Sequence, residues 1–466
     1  MISATGILVS GDQPLMGRLA LAALLTIPVG SAVAALTWGG IWLLVPWFGA
    51  VLILAFCQPR IGLLILIVAW FFRINILGIP GVYPADVVLL PVVAGYLCRR
   101  LATGGRIADP TPVNRVALVW LGLYAVSLLG AVDLAFGVKN WLRHIELFAL
   151  FVAAVGLLDR TTIRRVVVLF LGLCIGFSVF NIARFVLEGG TIRAFGTAHT
   201  LFSGYLALAV APATALALLS TQRRHRRFWT AVIVLFIMAQ IANQSRGAML
   251  QLFTGFLFTA FIAYRWGAVN RQAALRKRLL KMGAVLAVAG VLAMVMAGGS
   301  IQRAAHRYST ESGSDLYTLQ TRNVLWRSAI RLFLDHPILG VGPAQTLSLR
   351  AYLPDIRLNP IYHGIKGLGT HNSLLRYLAE CGIVGSLVLW MLLWRALSFG
   401  RGIIRAVRDP VEAAWQIGLW GIVFVLISRF LYEGHIFYSI SGMTTVVFVA
   451  MLYRMRHPRS ACEDTR

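Results

Sequence analysis

The sequence predicts an all-α fold, a polytopic membrane bundle of about 12 to 14 transmembrane helices with one large external loop. Three observations predict it. Hydrophobic residues make up 59% of the 466 and charged residues only 13%, with a mean hydropathy of +0.78, which excludes an ordinary soluble domain. Apolar runs approaching the ~20 residues that cross a bilayer fill most of the chain. The basic residues behind the formal net charge of +26 fall in short clusters between those runs, the positive-inside pattern and not a nucleic-acid-binding face.

The runs follow in order. Residues 19–36 form the first; Ala32 and Ala34 imitate a signal-peptide cleavage site, but the length and the immediate second run, 41–57, read as an uncleaved span. Runs 61–76, 87–98, 116–132, 141–158, 166–186, 201–219, 229–241, 248–264 and 282–296 come next, and 374–394, 414–431 and 439–453 close the chain. Starting from a cytoplasmic N-terminus, alternate loops carry Arg60, then Arg99, Arg100, Arg106 and Arg115, then Arg160, Arg164 and Arg165, then Arg223, Arg224, Arg226 and Arg227. Segments 265–281, 395–408 and 454–459 continue the alternation, so both termini are expected in the cytoplasm, with membrane lipids around the bundle. The five cysteines show neither disulfide nor metal spacing.

The exception to short loops is 299–370, which divides the chain into an N-terminal bundle (1–298), the loop, and C-terminal spans with a tail (371–466). Within it Leu325, Trp326, Ala329, Ile330 and Phe333 recur at helical spacing, with Arg327, Arg331 and Asp335 on another face. That pattern predicts an amphipathic helix lying along the membrane surface. Asp335-His336-Pro337 and Gly340-Val341-Gly342-Pro343 are expected to break it.

Chemistry concentrates where that loop meets the next span. His371-Asn372 is followed after nine residues by Gly382 and then by Gly385. With Thr370 as helix N-cap, His371 would lie in a first helical turn, whose positive dipole end favours a neutral imidazole able to accept a proton. The two glycines would let another helix approach closely. Arginines also stand in loops on the outer side, where topology disfavours them: Arg193 in Gly189-Gly190-Thr191-Ile192-Arg193-Ala194-Phe195-Gly196, and Arg246 in Asn243-Gln244-Ser245-Arg246-Gly247. Guanidinium forks match phosphate oxygens; the bland alternative is snorkelling to lipid headgroups. Arg143 and Arg322 are supporting candidates, although Arg143, His144 and Glu146 read first as an ion-pair cluster at a span end. No Asp-x-Asp pair lies on the outer side, so arginines are the expected source of positive charge, without a metal.

His371, Asn372, Gly382 and Gly385 resemble the motif that follows the large external loop in the O-antigen ligase and O-antigen polymerase superfamily. Gly340-Val341-Gly342 and Ser245-Arg246-Gly247 are similar to it too. The resemblance implies a glycosyltransferase without cofactor, seated in the bacterial inner membrane with a periplasmic active site. Its donor would be an undecaprenyl diphosphate-linked glycan and its acceptor lipid A core oligosaccharide, with no nucleic acid partner. His371 would act as base or orient the acceptor, Arg193 and Arg246 would hold the diphosphate, and Asn372, Arg143 and Arg322 are supporting candidates. An O-antigen polymerase or protein O-oligosaccharyltransferase shares these motifs; one long loop instead of two favours the ligase. A transporter or flippase of lipid-linked glycan is the alternative of another class.

Overall fold

The computed structural model describes residues 44–72, 83–187, 199–243, 245–270, 274–284, 314–347, 369–431 and 439–457. Among them every regular element is helical. Seven helices are long and apolar enough to cross a membrane, consistent with an all-α polytopic membrane protein. The run at 19–36 and most of that at 282–296 lie outside the described residues.

Two compact units divide the chain: residues 1–109, 152–170 and 458–466 in the first, 110–151 and 171–457 in the second. The first contains α1 (Leu44–Cys57), α2 (Pro59–Ala69) and α3 (Pro84–Ala102). Pro59 and Pro84 sit at the starts of α2 and α3, where a missing N–H costs nothing. At the start of α3 the Asp86 side chain accepts from the Tyr83 amide at 2.9 Å. At its far end Arg99 and Arg100 complement the negative pole of the helix.

The second unit holds α4 (Pro112–Val126), α5 (Leu134–Leu157), α6 (Arg160–Leu187), α7 (His199–Leu219), α8 (Arg223–Ala242) and α9 (Arg246–Val269), with parts of α5 and α6 belonging to the first. It continues through α10 (Ser314–Asp335), α11 (Ser373–Ser398), α12 (Pro410–Ser428) and α13 (Ser439–Arg456). Its centre is α7, 94% of whose apolar window is buried against α8, α9 and α12. A helix apolar on every face can only be central. Ala207, Ala209, Ala211, Ala213, Ala215 and Ala217 keep it slim, so neighbours approach closely and gain the van der Waals contact that drives association in lipid. Basic residues gather at one end of this unit: Arg278 donates to Leu218 O at 2.8 Å and Arg408 to Asn270 Oδ1 at 3.0 Å. The start of α11 lies at the other end.

α11 is broken. Gly382 has φ +62° and ψ −169° inside it, a region essentially reserved for glycine. The segment after α10 fills the break, because Val341 N donates to Ala379 O and Gly342 N to Glu380 O, each at 2.9 Å, while Ile383 N donates to Pro337 O at 2.8 Å. Backbone groups that the kink frees are thus satisfied by protein, which is what permits irregular backbone within an apolar span. A Cβ on Gly382 would overlap the Ile338 carbonyl. The sequence reading assigned Gly382 and Gly385 to close packing of another helix. Instead Gly382 receives a loop, and the space at Gly385 is taken by the Cys381 side chain of the same helix.

Gly382→Ala is therefore expected to cost about 1–3 kcal/mol for the backbone conformation alone, with the overlap in addition. Gly122 in α4 has open space where its Cβ would be, and Gly122→Ala serves as the control, neutral or slightly stabilising. Thermal unfolding in detergent would show the difference; a Gly382→Ala midpoint equal to wild type would mean the kink is dispensable.

Candidate functional site

The site assembles at the kinked end of the second unit. Asn372, not Thr370, caps α11: its Oδ1 accepts from Leu375 N at 3.1 Å. His371 consequently precedes the cap, outside the first turn expected from sequence, in a left-handed conformation at φ +49°. That conformation is uncommon for a residue with a Cβ and is characteristic of functional turns. Thr370 is wholly buried and its Oγ1 donates to Asn372 O at 2.7 Å, which secures the peptides on both sides of the half-buried histidine.

α10 ends at Asp335, where the sequence places its break. One face of it packs against protein and another stays exposed. Leu325, Ser328 and Ala329 are buried while Trp326 and Ile330 are largely exposed, and the helix runs beside the first half of α11 in the same direction. Trp326 Nε1 donates to Thr370 O at 2.8 Å, and thirteen residues further along α11 Ile383 takes its bond from Pro337. Trp326→Phe removes the hydrogen bond to the peptide before His371. A transfer rate lower by roughly 2- to 10-fold, the worth of one ordinary hydrogen bond, is expected in a turnover assay; an unchanged rate would remove Trp326 from positioning.

Below His371, Glu380 is completely buried and Arg376 is 2% exposed. Glu380 Oε1 accepts from Arg376 Nε at 2.9 Å and from Thr346 Oγ1, and Oε2 accepts from Tyr124 Oη at 2.5 Å. One carboxylate therefore ties together α11, α4 and the segment after α10. Charge-assisted bonds to both oxygens are what a buried carboxylate needs. The same segment is fixed a second time by Gln345, whose amide accepts from Asp133 N at 2.9 Å and donates to Asp133 O at 3.0 Å. Residues 337–347 thus form a rigid platform against α11. His144 completes the buried set: its Nδ1 lies 2.8 Å from Asn140 O and must carry the proton, so Nε2 accepts from Tyr377 Oη at 3.2 Å.

The structure distributes the sequence candidates unevenly. His371 and Asn372 lie at the mouth of this cluster, but Asn372 has a structural duty as cap. Arg143 pairs with Glu146 at 2.6 Å, as the ion-pair reading had it, while His144 stands apart from that pair. Arg322 lies one turn before Trp326 on α10, half-buried, with an Nε that is buried and lacks a hydrogen-bond partner among the described residues. The backbone of Arg246 begins α9; its side chain and the whole of Arg193 are outside the described residues. Sequence reasoning missed Arg376, Glu380, Tyr124 and Thr346. The available signal was Arg376 and Glu380 four residues apart within an apolar run, since ionisable groups inside spans are rare and face the interior.

Architecture and site together define a polytopic α-helical membrane protein whose polar centre is built on a broken helix and an external-loop platform. A family model described as O-antigen ligase matches residues 231–390, 160 of the 466, and spans α9, α10, the platform, His371 and the kink. That stretch is similar to the O-antigen ligase family. A comparison with curated proteins finds no match.

Proposed function

We propose that this protein is an O-antigen ligase of the bacterial inner membrane, moving O-antigen glycan from undecaprenyl diphosphate to lipid A core oligosaccharide on the periplasmic face. The observation that supports this best is the coincidence of the family match with the built geometry: the matched residues carry His371 on a secured left-handed turn at the start of α11, to which the 337–347 platform is bonded. The basic cluster that begins α8 and Arg408 before α12 lie at the opposite end, which accords with an external site.

In this mechanism the acceptor hydroxyl attacks the anomeric carbon of the donor, the bond from that carbon to the phosphate oxygen breaks, and undecaprenyl diphosphate departs. His371 takes the hydroxyl proton. Arg193 and Arg246 hold the diphosphate as its charge grows. Direct displacement inverts the anomeric centre. Arg322, with its unmatched Nε, is a supporting residue.

The broken α11 and its buried Arg376–Glu380 pair are also found among transporters, so the test must detect chemistry. Purified protein in detergent, where no sealed compartment exists, is given carrier-linked O-antigen and either lipid A core or further carrier-linked glycan, with chelator present. Transfer to lipid A core is expected. Elongation on the carrier alone would make it a polymerase, and absence of any transfer with authentic substrates would favour transport.

A further inference from the structure

At the end of the second unit that carries Glu380, α7, α9 and α12 meet in layers about one turn apart. A Cβ on Gly421 of α12 would press on Thr259 of α9 and Ala211 of α7; one on Gly255 of α9 would press on Val425 of α12 and Ala207 of α7. One further turn brings Arg429, Gln251 and the Ser203–Gly204 step to the same level. Contact at Gly204 bears this out, since a Cβ there would stand 3.2 Å from Nη1 and 3.4 Å from Cζ and Nη2 of Arg429. The layer is closed: Arg429 is 5% exposed, and Gln251 and Ser203 are 0% exposed. It also adjoins the kinked helix, because Phe430 stacks on Tyr377 with ring centroids 5.7 Å apart.

Two independent features call for a ligand here. Neither Nε2 nor Oε1 of Gln251 has a hydrogen-bond partner among the described residues, a costly state for a buried amide. Directly above it, α9 begins at Arg246 after Ser245, which makes no side-chain cap bond, so the first amides of a 24-residue helix lack the usual acceptor. A buried guanidinium, an amide donor and an uncapped helix N-terminus share one preference, for an anion with several acceptor oxygens. A phosphate ester is that anion.

We infer that Arg429 and Gln251 bind phosphate oxygen and form the floor of the donor diphosphate site, beneath the N-terminus of α9; this rests on the donor assigned under the proposed function. Gln251 follows Arg246 by five residues, roughly 7.5 Å of helical rise, so the floor takes the phosphate on the prenyl side. Ser203, held by Asn243 Nδ2 at 2.5 Å, and the bare backbone of Gly204 shape it.

The test measures binding of farnesyl diphosphate to the purified full-length chain in detergent, for wild type, Arg429→Gln and Gln251→Leu. Arg429→Gln is expected to weaken binding tenfold or more and Gln251→Leu several-fold. Because Gln251→Leu exchanges an unmatched amide for hydrocarbon, its thermal midpoint is expected to hold or rise, which separates lost binding from lost folding. Unchanged binding in both variants would overturn the inference and leave the ligase assignment standing. A wild-type protein that binds no prenyl diphosphate would defeat the donor assignment itself. Competition by phosphatidylglycerol as strong as by farnesyl diphosphate would make this a lipid headgroup site and overturn its assignment to the donor.

Discussion

Purified His371→Ala protein is expected to transfer glycan about 10²–10⁴-fold more slowly than wild type, the usual worth of a positioned general base. The loss should fall on kcat, with the donor KM little changed, because in the proposed mechanism the imidazole meets the acceptor hydroxyl and the arginines hold the diphosphate. Folding should be nearly unaffected: the Cβ remains, and Asn372 and Thr370 still cap and secure the turn. A second variant sharpens the test. His371→Gly relieves the left-handed conformation at φ +49°, so its thermal midpoint should equal or exceed that of His371→Ala while its activity is equally low. Wild-type turnover in either variant would remove His371 from the chemistry.

Removing the Glu380 carboxylate is the second large effect. Glu380→Ala strands the Arg376 guanidinium in a buried position and leaves the Tyr124 and Thr346 hydroxyls without their acceptor, at a cost of about 3–5 kcal/mol. Total stabilities are commonly ~5–15 kcal/mol, so a sharp fall in folded yield is expected. Glu380→Gln keeps shape and one acceptor oxygen and should cost less, about 1.5–3 kcal/mol, the value of charged hydrogen bonds. The double change Arg376→Met with Glu380→Leu should recover part of the loss, because buried ion pairs often exchange for hydrocarbon without penalty. Thermal midpoints of wild type, Arg376→Met, Glu380→Leu and the double variant decide it: strictly additive losses would show that the two side chains do not depend on each other.

The helices were legible because apolar periodicity depends only on local sequence. Their ends were not, since the bundle continues each helix through its charged turns; the run read as 229–241 is a helix from Arg223 to Ala242, with arginines at its start able to extend toward water. The histidine motif was legible as a pattern and misread as geometry. Thr370 and Asn372 are both good capping residues, and only the backbone decides between them. Gly382 looks the same in sequence whether it admits a helix or adopts a positive φ. Glu380 was visible as an acid in an apolar stretch, but its partners Tyr124 and Thr346 lie 256 and 34 residues away, beyond the reach of local spacing.

The union of platform and broken helix is written in main chain. Three peptide-to-peptide bonds make the join, and they depend on glycine at 340, 342 and 382 and on the carbonyl of residue 337. Such a junction behaves as a standard coupling. The remainder of the loop could then be exchanged while keeping the fitting that holds 337–347 to α11. Chimaeras spliced within 348–368 should accordingly fold where those cut through 337–347 do not, making that stretch the natural boundary for transplanting the rest of the loop.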